Sequence, residues 1–369
     1  MGEESRTADD ARGINNVAEL SKRGYKALRS DQLEEAERCF REVLALEADN
    51  TYALVGLGDL ARKRGDHRTA IGFYKQCLQH HETNNYALFG LADSYKALKE
   101  YKQAIDIWER YLQRDERNIT VLTRIADAYK KVRNFEKSRE LYLRALEMEP
   151  GNPYALIGLG YLHFDFKHYA EALDYWQRVL EQPENAQNIK ILTAIGNCHR
   201  KLKTFEQGLP FFQRALEIEP DNFYANFGMA DCYRGLQDQD RSLQHWLAIL
   251  KRDPANKVIL TRAGDSFRIL ERLDEAEEYY RKALNIGYDA YAVLGLAIIG
   301  KERGRYAEAV ESLEKLTRND PRNARLIHTL AECYVALNQK EKARALLASF
   351  ARTGMRNSFV TDLLDRLGR

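Results

Sequence analysis

A helical pattern that returns about every 34 residues constrains this chain more than any other feature of its sequence. Its clearest copy runs from Tyr154 to Phe164 and reads YALIGLGYLHF. Similar stretches begin at other tyrosines, namely Tyr52, Tyr86, Tyr224 and Tyr291. Units that bury their apolar surface only against their neighbours stack into an array without a fixed length. The repetition therefore predicts one continuous array in place of the few globular domains that 369 residues would otherwise suggest.

Each unit contains two helical runs of apolar residues, and a turn rich in Asp, Asn, Pro or Gly closes it. Small residues stand beside large ones in these runs, as in the helix that carries Leu91, Ala92 and Tyr95. Small residues allow two helices to approach closely while aromatic rings fill the adjacent space. The period divides the chain into ten helix-turn-helix units: 17–50, 51–84, 85–118, 119–152, 153–188, 189–222, 223–256, 257–289, 290–323 and 324–357.

These ten units resemble tetratricopeptide repeats, in a bacterial-type array that covers Val17 to Asn357. The resemblance implies an all-α fold in which antiparallel helix pairs stack into a right-handed superhelical solenoid. It also implies that the first helix of each repeat lines a concave groove. In this family the groove-facing positions are the second, fifth, ninth, twelfth and thirteenth residues of the first helix. We call these positions slots and count them from the first residue of each repeat.

The two ends of the chain differ from the repeats. Residues 1–16 are polar, and we predict that they are largely disordered. Residues 358–369 carry one apolar stripe and are predicted to form a C-terminal capping helix, with Ser358 as its N-cap. Inside the array, the turn that ends repeat five is two residues longer than the period, and Pro210 falls within a predicted helix. Proline removes a helical hydrogen bond, so a bend or soft point is predicted near 182–210.

The composition restricts the compartment and the kinds of partner. A net charge of +2 creates no global field that would attract nucleic acid or an anionic membrane. The sequence has no apolar run of about 18 residues that could span a membrane, and its polar start lacks a signal core. The five cysteines form no CxxC pair and are predicted to be buried thiols in a reducing compartment. We therefore expect a cytoplasmic protein, or a periplasmic one if the sequence is a fragment without its signal peptide.

The sequence contains no constellation of residues that is typical of catalysis. The stretches at 56–58 and 158–160 are glycine-rich, but no third glycine follows at the spacing of a dinucleotide-binding loop. His163 and His168 are five residues apart, which is a poor spacing for a shared metal ion on one helix. The motifs GxxxxGK[ST], HExxH and GxSxG do not occur. We therefore predict that the protein is not an enzyme and has no catalytic residues, no metal and no cofactor.

Charged residues recur in the ninth and twelfth slots. In five of the ten repeats an acid in the ninth slot is followed by a base in the twelfth, as in Asp127 and Lys130. One such pair stabilises a helix by only about 0.2–0.5 kcal/mol. Two interpretations stay open, a solvated network of salt bridges or a row of hydrogen-bonding groups for an extended peptide.

Aromatic and apolar residues recur in the second and fifth slots, as in Tyr86 with Phe89 and Tyr224 with Phe227. They could pack between neighbouring helices or stand in the groove as contact residues. Tyrosine suits contact because it combines a broad apolar body with a polar tip. The sequence alone does not separate these two roles.

Repeat five departs from the charged pattern because its ninth and twelfth slots hold Tyr161 and Phe164. Together with Tyr154 and Ile157, these residues predict an exposed aromatic face in the groove. Charged and polar residues of the adjacent repeats flank it, namely Arg124, Asp127 and Lys130 on one side and Asn197 and Arg200 on the other. An aromatic cluster with a charged rim is typical of a binding hot spot. The alternative is that these residues only pack the superhelix.

These features predict a non-catalytic scaffold that binds a peptide or protein segment in the concave groove. The predicted partner-binding residues are Tyr154, Ile157, Tyr161, Phe164, Arg124, Asp127, Lys130, Asn197, Arg200, Tyr86, Phe89, Tyr224 and Phe227. The expected partner is a protein or peptide, with no nucleic acid and no membrane insertion. Two alternatives stay open, a self-assembling module that forms a homo-oligomer and the targeting arm of a larger enzyme.

Overall fold

The structure is a computed structural model that describes residues 3–368, with side chains from Asn16 onward. Within that part of the chain it contains 21 α-helices, one short 3-10 turn and no strand, which confirms the all-α prediction. The helices form ten successive pairs with one further helix at the end, and they divide into two compact units. We call Met1–Pro183 unit 1 and Glu184–Arg369 unit 2.

Unit 1 contains the helix pairs of repeats one to five. Its helices are α1 (Glu3–Arg29), α2 (Leu33–Leu46), α3 (Thr51–Lys63), α4 (His67–His80), α5 (Asn85–Ala97), α6 (Tyr101–Leu112), α7 (Ile119–Lys131), α8 (Phe135–Met148), α9 (Pro153–Asp165) and α10 (Tyr169–Leu180). Within this unit, each helix from α1 to α9 packs against the next one along the chain. The 3-10 turn, Pro183–Asn185, lies at the boundary between the units.

Unit 2 contains the helix pairs of repeats six to ten and the final helix. Its helices are α11 (Ile189–Leu202), α12 (Phe205–Ile218), α13 (Phe223–Gly235), α14 (Gln239–Arg252), α15 (Lys257–Ile269), α16 (Leu273–Ile286), α17 (Ala290–Glu302), α18 (Tyr306–Asn319), α19 (Ala324–Ala336), α20 (Lys340–Ala351) and α21 (Ser358–Gly368). Helix α12 continues through Pro210. The predicted bend or soft point near 182–210 stays a prediction.

The last residue of a repeat caps the first helix of the next one. Its side-chain oxygen accepts a hydrogen bond from the backbone N–H three residues further on, which satisfies a donor that has no partner within the helix. These capping residues are Asn50, Asn84, Asn118, Asn152, Asn188, Asn222, Asn256, Asp289 and Asn323. Asn357 makes the same bond to Val360 N at 3.2 Å. The predicted Ser358 cap is therefore wrong, because Ser358 is already the first residue of α21.

A left-handed residue forms the turn inside every helix pair. These residues have φ between 60° and 79° and are Asp31, Gly65, Lys99, Arg133, Lys167, Lys203, Gln237, Glu271, Gly304 and Asn338. The turn is short because the chain reverses within a few residues of the end of the first helix. Only two of these residues are glycines, so the packing of the two helices, more than glycine itself, imposes the left-handed conformation.

The core of each of the first eight repeats centres on an aromatic side chain of the second helix, and Leu313 and Leu347 take this position in the last two. In repeats one to eight these side chains are fully buried, and they are Phe40, Tyr74, Trp108, Tyr142, Trp176, Phe212, Trp246 and Tyr280. Several of these rings pack against glycines of the first helices on either side, as the Phe40 ring does between Gly24 and Gly56. All five cysteines are buried and free, which confirms the prediction of buried thiols.

The glycines under these rings give a testable prediction for unit 1. A Cβ added to Gly56 would lie 2.5 Å from Phe40 Cζ, whereas one added to Gly72 on α4 would meet nothing within 4 Å. We expect Gly56→Ala to destabilise the protein by about 1–3 kcal/mol through overpacking. The matched change Gly72→Ala should stabilise it by about 0.5–1 kcal/mol, since alanine has the better helix propensity. Urea denaturation measures both, and equal midpoints for the two variants would contradict the close approach at Gly56.

The ends of the chain complete the comparison with the sequence. The backbone of α1 is helical from Glu3, whereas the sequence predicted a largely disordered segment over 1–16. Met1, Gly2 and the side chains of residues 3–15 lie outside the described part of the chain. At the other end, α21 packs on α19 and α20, and Val360 is buried among their apolar residues. Phe359 is exposed and does not belong to the buried stripe.

Candidate partner-binding site

The second-slot tyrosines stand exposed on the first helices of both units. Tyr52, Tyr86 and Tyr154 occupy this slot in unit 1, and Tyr224 and Tyr291 occupy it in unit 2. All five are between 66% and 79% exposed. The sequence left open whether these residues pack between neighbouring helices or stand in the groove as contact residues, and the structure shows that the five tyrosine side chains are exposed to solvent. We call the exposed side of the first helices within each unit the first-helix surface.

The fifth-slot residues are packed more closely than the tyrosines. Val55 and Leu294 are buried, and Phe89, Ile157 and Phe227 are half-buried. The second and fifth slots of the first helices therefore have different roles. The fifth slot joins neighbouring helices, and the second slot leaves an aromatic ring accessible to solvent.

The aromatic residues of repeat five rest on a buried tryptophan. The rings of Tyr161 and Phe164 lie 5.1 Å and 5.9 Å from the ring of Trp176, measured between centroids. Both side chains are half-buried, as is Ile157, whereas Tyr154 is 75% exposed. The aromatic face is therefore only partly exposed, because the Trp176 indole supplies an apolar surface that covers one side of the Tyr161 and Phe164 rings. Burial also raises the pKa of the Tyr161 hydroxyl.

In repeat three the ninth-slot acid is held by two arginines of the neighbouring repeats. Arg62 Nη2 lies 3.4 Å from Asp93, and Arg124 donates a charge-assisted hydrogen bond to the other oxygen of Asp93. The guanidinium of Arg124 also lies 4.6 Å from the centroid of the Phe89 ring. Arg124 is thus fixed by a carboxylate and an aromatic face together, which is a rigid arrangement for a long side chain.

Unit 2 contains the equivalent arrangement around Asp231, which is 7% exposed. The Asp231 carboxylate accepts hydrogen bonds from Arg200 at 2.6 Å, Arg234 at 2.9 Å and Arg262 at 3.3 Å. Burial acts to raise the pKa of Asp231, but the three guanidinium groups outweigh it and hold the pKa below its usual value. The Asp231 carboxylate therefore stays charged among the three arginine side chains.

Two further contacts make the arrangement around Asp231 similar to that around Asp93. Arg262 lies 5.3 Å from the centroid of the Phe227 ring, as Arg124 lies over Phe89. Asn197 accepts a hydrogen bond from Arg200 Nε at 3.1 Å. Repeats two to four and repeats six to eight therefore build the same Arg-Asp-Arg arrangement over an aromatic ring, once in each unit.

Whether a ninth-slot acid binds arginines in this way depends on the buried aromatic residue of the second helix in the same repeat. Where the buried aromatic is tyrosine, its hydroxyl donates to the ninth-slot acid of the same repeat. These bonds join Tyr74 to Asp59 at 2.6 Å, Tyr142 to Asp127 at 2.6 Å and Tyr280 to Asp265 at 2.8 Å. In repeats three and seven the aromatic is Trp108 or Trp246, which has no hydroxyl, and the acid binds arginines instead. We did not predict this alternation, although the change between Tyr and Trp is visible in the sequence.

The charged slots therefore form a network of salt bridges within and between helices. The pairs within a helix join Asp59 to Arg62 at 3.7 Å and Asp127 to Lys130 at 3.5 Å. Lys130 also lies 5.6 Å over the Tyr161 ring. The interpretation as a salt-bridge network is thus present in the structure. A role of the same residues in contacting a partner stays a prediction.

His163 lies buried in a cluster of rings in unit 1. It is 6% exposed, and its ring lies 5.3 Å from that of Phe135 and 5.4 Å from that of Tyr175. Neither ring nitrogen has a hydrogen-bond partner among the described residues. Burial lowers the pKa of His163, because the charged imidazolium would lose its hydration in this apolar setting.

This cluster predicts how stability depends on pH. Because the folded state keeps His163 neutral, the unfolded state binds the proton first as the pH falls below about 6.5. The free energy of unfolding should therefore decrease from that pH down to the lower pKa of the folded state. We expect His163→Phe to reduce this loss, as measured by urea midpoints at about pH 7 and pH 5. The exposed His80→Phe is the control, and an equal pH dependence in both variants would contradict the prediction.

Among residues 16–368, whose side chains the structure describes, no three His, Cys, Asp or Glu side chains are grouped so that they could hold a metal ion. In the same part of the chain, no helix combines the length and the apolar character needed to cross a membrane.

Family models for the tetratricopeptide repeat match four segments of the chain, which together make up more than half of its residues. The matched segments are 123–188, 189–222, 227–293 and 301–353. A model described as anaphase-promoting complex, cyclosome, subunit 3 matches residues 29–111.

Curated relatives include protein O-mannosyl-transferase TMTC3 from Homo sapiens and from Mus musculus. The human protein is 25% identical over 191 residues, which covers 46% of this chain and 20% of the relative. The mouse protein is 24% identical over 178 residues, which covers 42% of this chain and 19% of the relative. The chain therefore spans about a fifth of the length of these relatives.

Similar solved structures include YrrB, described as a TPR protein with an unusual peptide-binding site, and yeast Tom70. YrrB is 23% identical with a TM-score of 0.44, and the match covers 50% of this chain and 95% of YrrB. Tom70 is 13% identical with a TM-score of 0.43, and the match covers 96% of this chain and 95% of Tom70. Since the repeat models cover more than half of its length, the chain belongs to the tetratricopeptide repeat family.

Proposed function

We propose that the protein is a non-catalytic scaffold that binds a peptide or protein segment along the first-helix surface, in the concave groove that this repeat family implies. The observation that supports this most is the row of second-slot tyrosines, which are between 66% and 79% exposed. A single exposed tyrosine needs no explanation, but five at one position of the repeat form a recurring aromatic contact surface. Tyrosines are also enriched among the residues that dominate binding energy.

The proposed partner-binding residues have different tasks. In unit 1 they are Tyr86, Phe89, Arg124, Asp127, Lys130, Tyr154, Ile157, Tyr161 and Phe164, and in unit 2 they are Asn197, Arg200, Tyr224 and Phe227. The exposed tyrosines supply the anchors, and the half-buried rings form the floor beneath the partner. The arginines are already held by carboxylates and rings, so they lose little side-chain entropy on binding.

The exposed tyrosines give a direct test. We expect the double variant Tyr86→Ala/Tyr154→Ala to bind at least about tenfold more weakly, since aromatic hot spots contribute about 2 kcal/mol or more each. Peptides selected from a random phage library against the unaltered protein supply the ligands, and isothermal titration calorimetry measures their affinity. These exposed residues are preferable to Tyr161 and Phe164, whose truncation would also disturb the packing on Trp176.

Tyr288→Ala is the matched control for this experiment, because Tyr288 is 66% exposed but lies in the turn before α17. Its affinity for the selected peptides should equal that of the unaltered protein. Unchanged binding by the double variant, or an equal loss in the control, would count against the proposed surface. Sedimentation over a concentration series tests the alternative that the chain binds a second copy of itself.

A second candidate function is that of a partner-binding arm within a larger enzyme. The observation that favours it is the match to about a fifth of the length of two protein O-mannosyl-transferases. The full open reading frame decides this question, and a frame that encodes no catalytic domain contradicts it.

A further inference from the structure

Unit 1 contains an open cleft of about 570 Å³ that is lined by the first helices of repeats two to four and by His67 and Tyr101 at the starts of α4 and α6. Its charged lining consists of four cations and two carboxylates, namely Arg62, Lys96, Lys130, Lys131, Asp93 and Asp127. The cleft therefore has an excess of two positive charges, although the whole chain carries only +2.

The two carboxylates of the cleft already have partners. Asp93 is paired with Arg62 and with Arg124, which adds a further cation beside the cleft. Asp127 accepts the hydroxyl of Tyr142 at 2.6 Å and lies 3.5 Å from Lys130. Neither acid is therefore available to neutralise the remaining lysines.

Lys96 and Lys131 are the cations that the protein leaves without an anion. Lys96 is half-buried, and its Nζ lies 6.0 Å from the centroid of the Trp108 ring. In the part of the chain that the structure describes, no carboxylate lies within salt-bridge distance of either lysine. His67 also lines the cleft, and its buried Nδ1 has no hydrogen-bond partner among the described residues.

The equivalent position in unit 2 holds a cation that does have a carboxylate partner. Arg234 occupies the same slot as Lys96, but it donates a hydrogen bond to Asp231 at 2.9 Å. Lys96 has Asp93 at the same place in its helix and does not pair with it. Lys96 therefore differs from Arg234 in having no carboxylate partner among the described residues.

We propose that this cleft binds a phosphoserine or phosphothreonine side chain of the partner peptide. Such a group carries about −1.5 to −2 charges at neutral pH and three acceptor oxygens, so it matches the excess of the lining in a single group. One carboxylate side chain carries a single charge and would neutralise only half of it. Lysine and arginine together suit phosphate, since lysine acts as a point charge and arginine donates from a planar fork. The inference rests on the proposed function, because the phosphate belongs to a peptide on the first-helix surface.

Fluorescence anisotropy with three labelled peptides of the same neutral sequence tests this proposal. One peptide carries a single phosphoserine, one carries serine at that position, and one carries a Glu-Glu pair. We expect the phosphopeptide to bind at least about tenfold more tightly than either of the others, and the difference to shrink as salt is added. Equal affinity of the phosphopeptide and the serine peptide would overturn the proposal. Equal affinity of the phosphopeptide and the Glu-Glu peptide would also overturn it, in favour of an acidic segment.

Charge-matched variants locate the binding site. We expect Lys96→Gln/Lys131→Gln to reduce the affinity for the phosphopeptide about tenfold and to leave that for the serine peptide unchanged. The control Lys22→Gln/Lys102→Gln removes the same charge from exposed positions outside the cleft lining and should bind as the unaltered protein does. An equal loss in both pairs would show a general charge effect and overturn the assignment. Phage-selected peptides carry no phosphate, so their dependence on Tyr86 and Tyr154 tests the proposed function separately.

Discussion

Replacing Trp176 by alanine is expected to destabilise the protein by about 3–5 kcal/mol, the cost of emptying a site that a large aromatic side chain fills. Trp176 is fully buried, and the rings of Tyr161 and Phe164 rest on it. The effect should be concentrated in repeat five and its neighbours, because repeats of an array are stabilised by adjacent contacts. Hydrogen exchange resolved by segment measures this distribution, and urea denaturation measures the total.

The control for Trp176 is the exposed aromatic of the same repeat. Tyr154→Ala removes a large ring from α9 but creates no cavity, so the change in stability should stay within about 0.5 kcal/mol. If Trp176→Ala were tolerated as well as Tyr154→Ala, the core assignment of repeat five would be wrong. The same comparison shows whether the Tyr154 side chain contributes to the stability of the fold or is free to contact a partner.

Replacing Asp231 by asparagine is expected to destabilise unit 2 by about 2–3 kcal/mol, since it leaves three arginines without their shared anion. The arginine side chains are 22%, 51% and 33% exposed, so solvent screens part of the loss and keeps it below the cost for a fully buried pair. Asp265→Asn is the matched control in the same slot, because Asp265 accepts a single hydroxyl, that of Tyr280. Asp265→Asn should destabilise unit 2 less than Asp231→Asn does. An equal destabilisation by the two variants would contradict the role of the arginines.

The same variant changes how stability responds to acid. The pKa of Asp231 is lower in the folded protein than in the unfolded chain, so its contribution is fully present above about pH 4. That contribution is lost as the pH falls through the folded pKa, because the native state must then take up a proton. The difference in urea midpoint between the unaltered protein and Asp231→Asn should therefore shrink as the pH is lowered below about 4. A difference that stays constant with pH would show that the charge of Asp231 is not what stabilises the fold.

The packing of the repeats could largely be predicted from the sequence. Small residues were predicted to let the helices approach closely, and a Cβ added to Gly56 or Gly58 would lie within 3 Å of a ring of a second helix. The buried thiols and the ten helix pairs also follow the predicted pattern. These features are predictable because they depend on local spacing, which repeats every 34 residues with the contacts it produces.

The helix caps were missed although the signal was present. Every repeat except the eighth ends in asparagine, and the eighth ends in Asp289. The left-handed turn residues carried no such signal, because lysine, arginine, glutamine and glutamate occupy most of them.

The candidate site also has features that could be predicted from the sequence and features that could not. The recurrence of aromatic and charged residues on the first helices is predictable from the sequence, because the slots follow from the period. Which charged residues pair with each other depends on contacts between repeats. Asp93 and Asp231 take arginines from both adjacent repeats, residues 31 positions away, and the indoles of the second helices leave the space for them. The structure also decided that Tyr154 is exposed while Tyr161 and Phe164 rest on Trp176, since exposure depends on how the helices pack around a side chain and not on its slot.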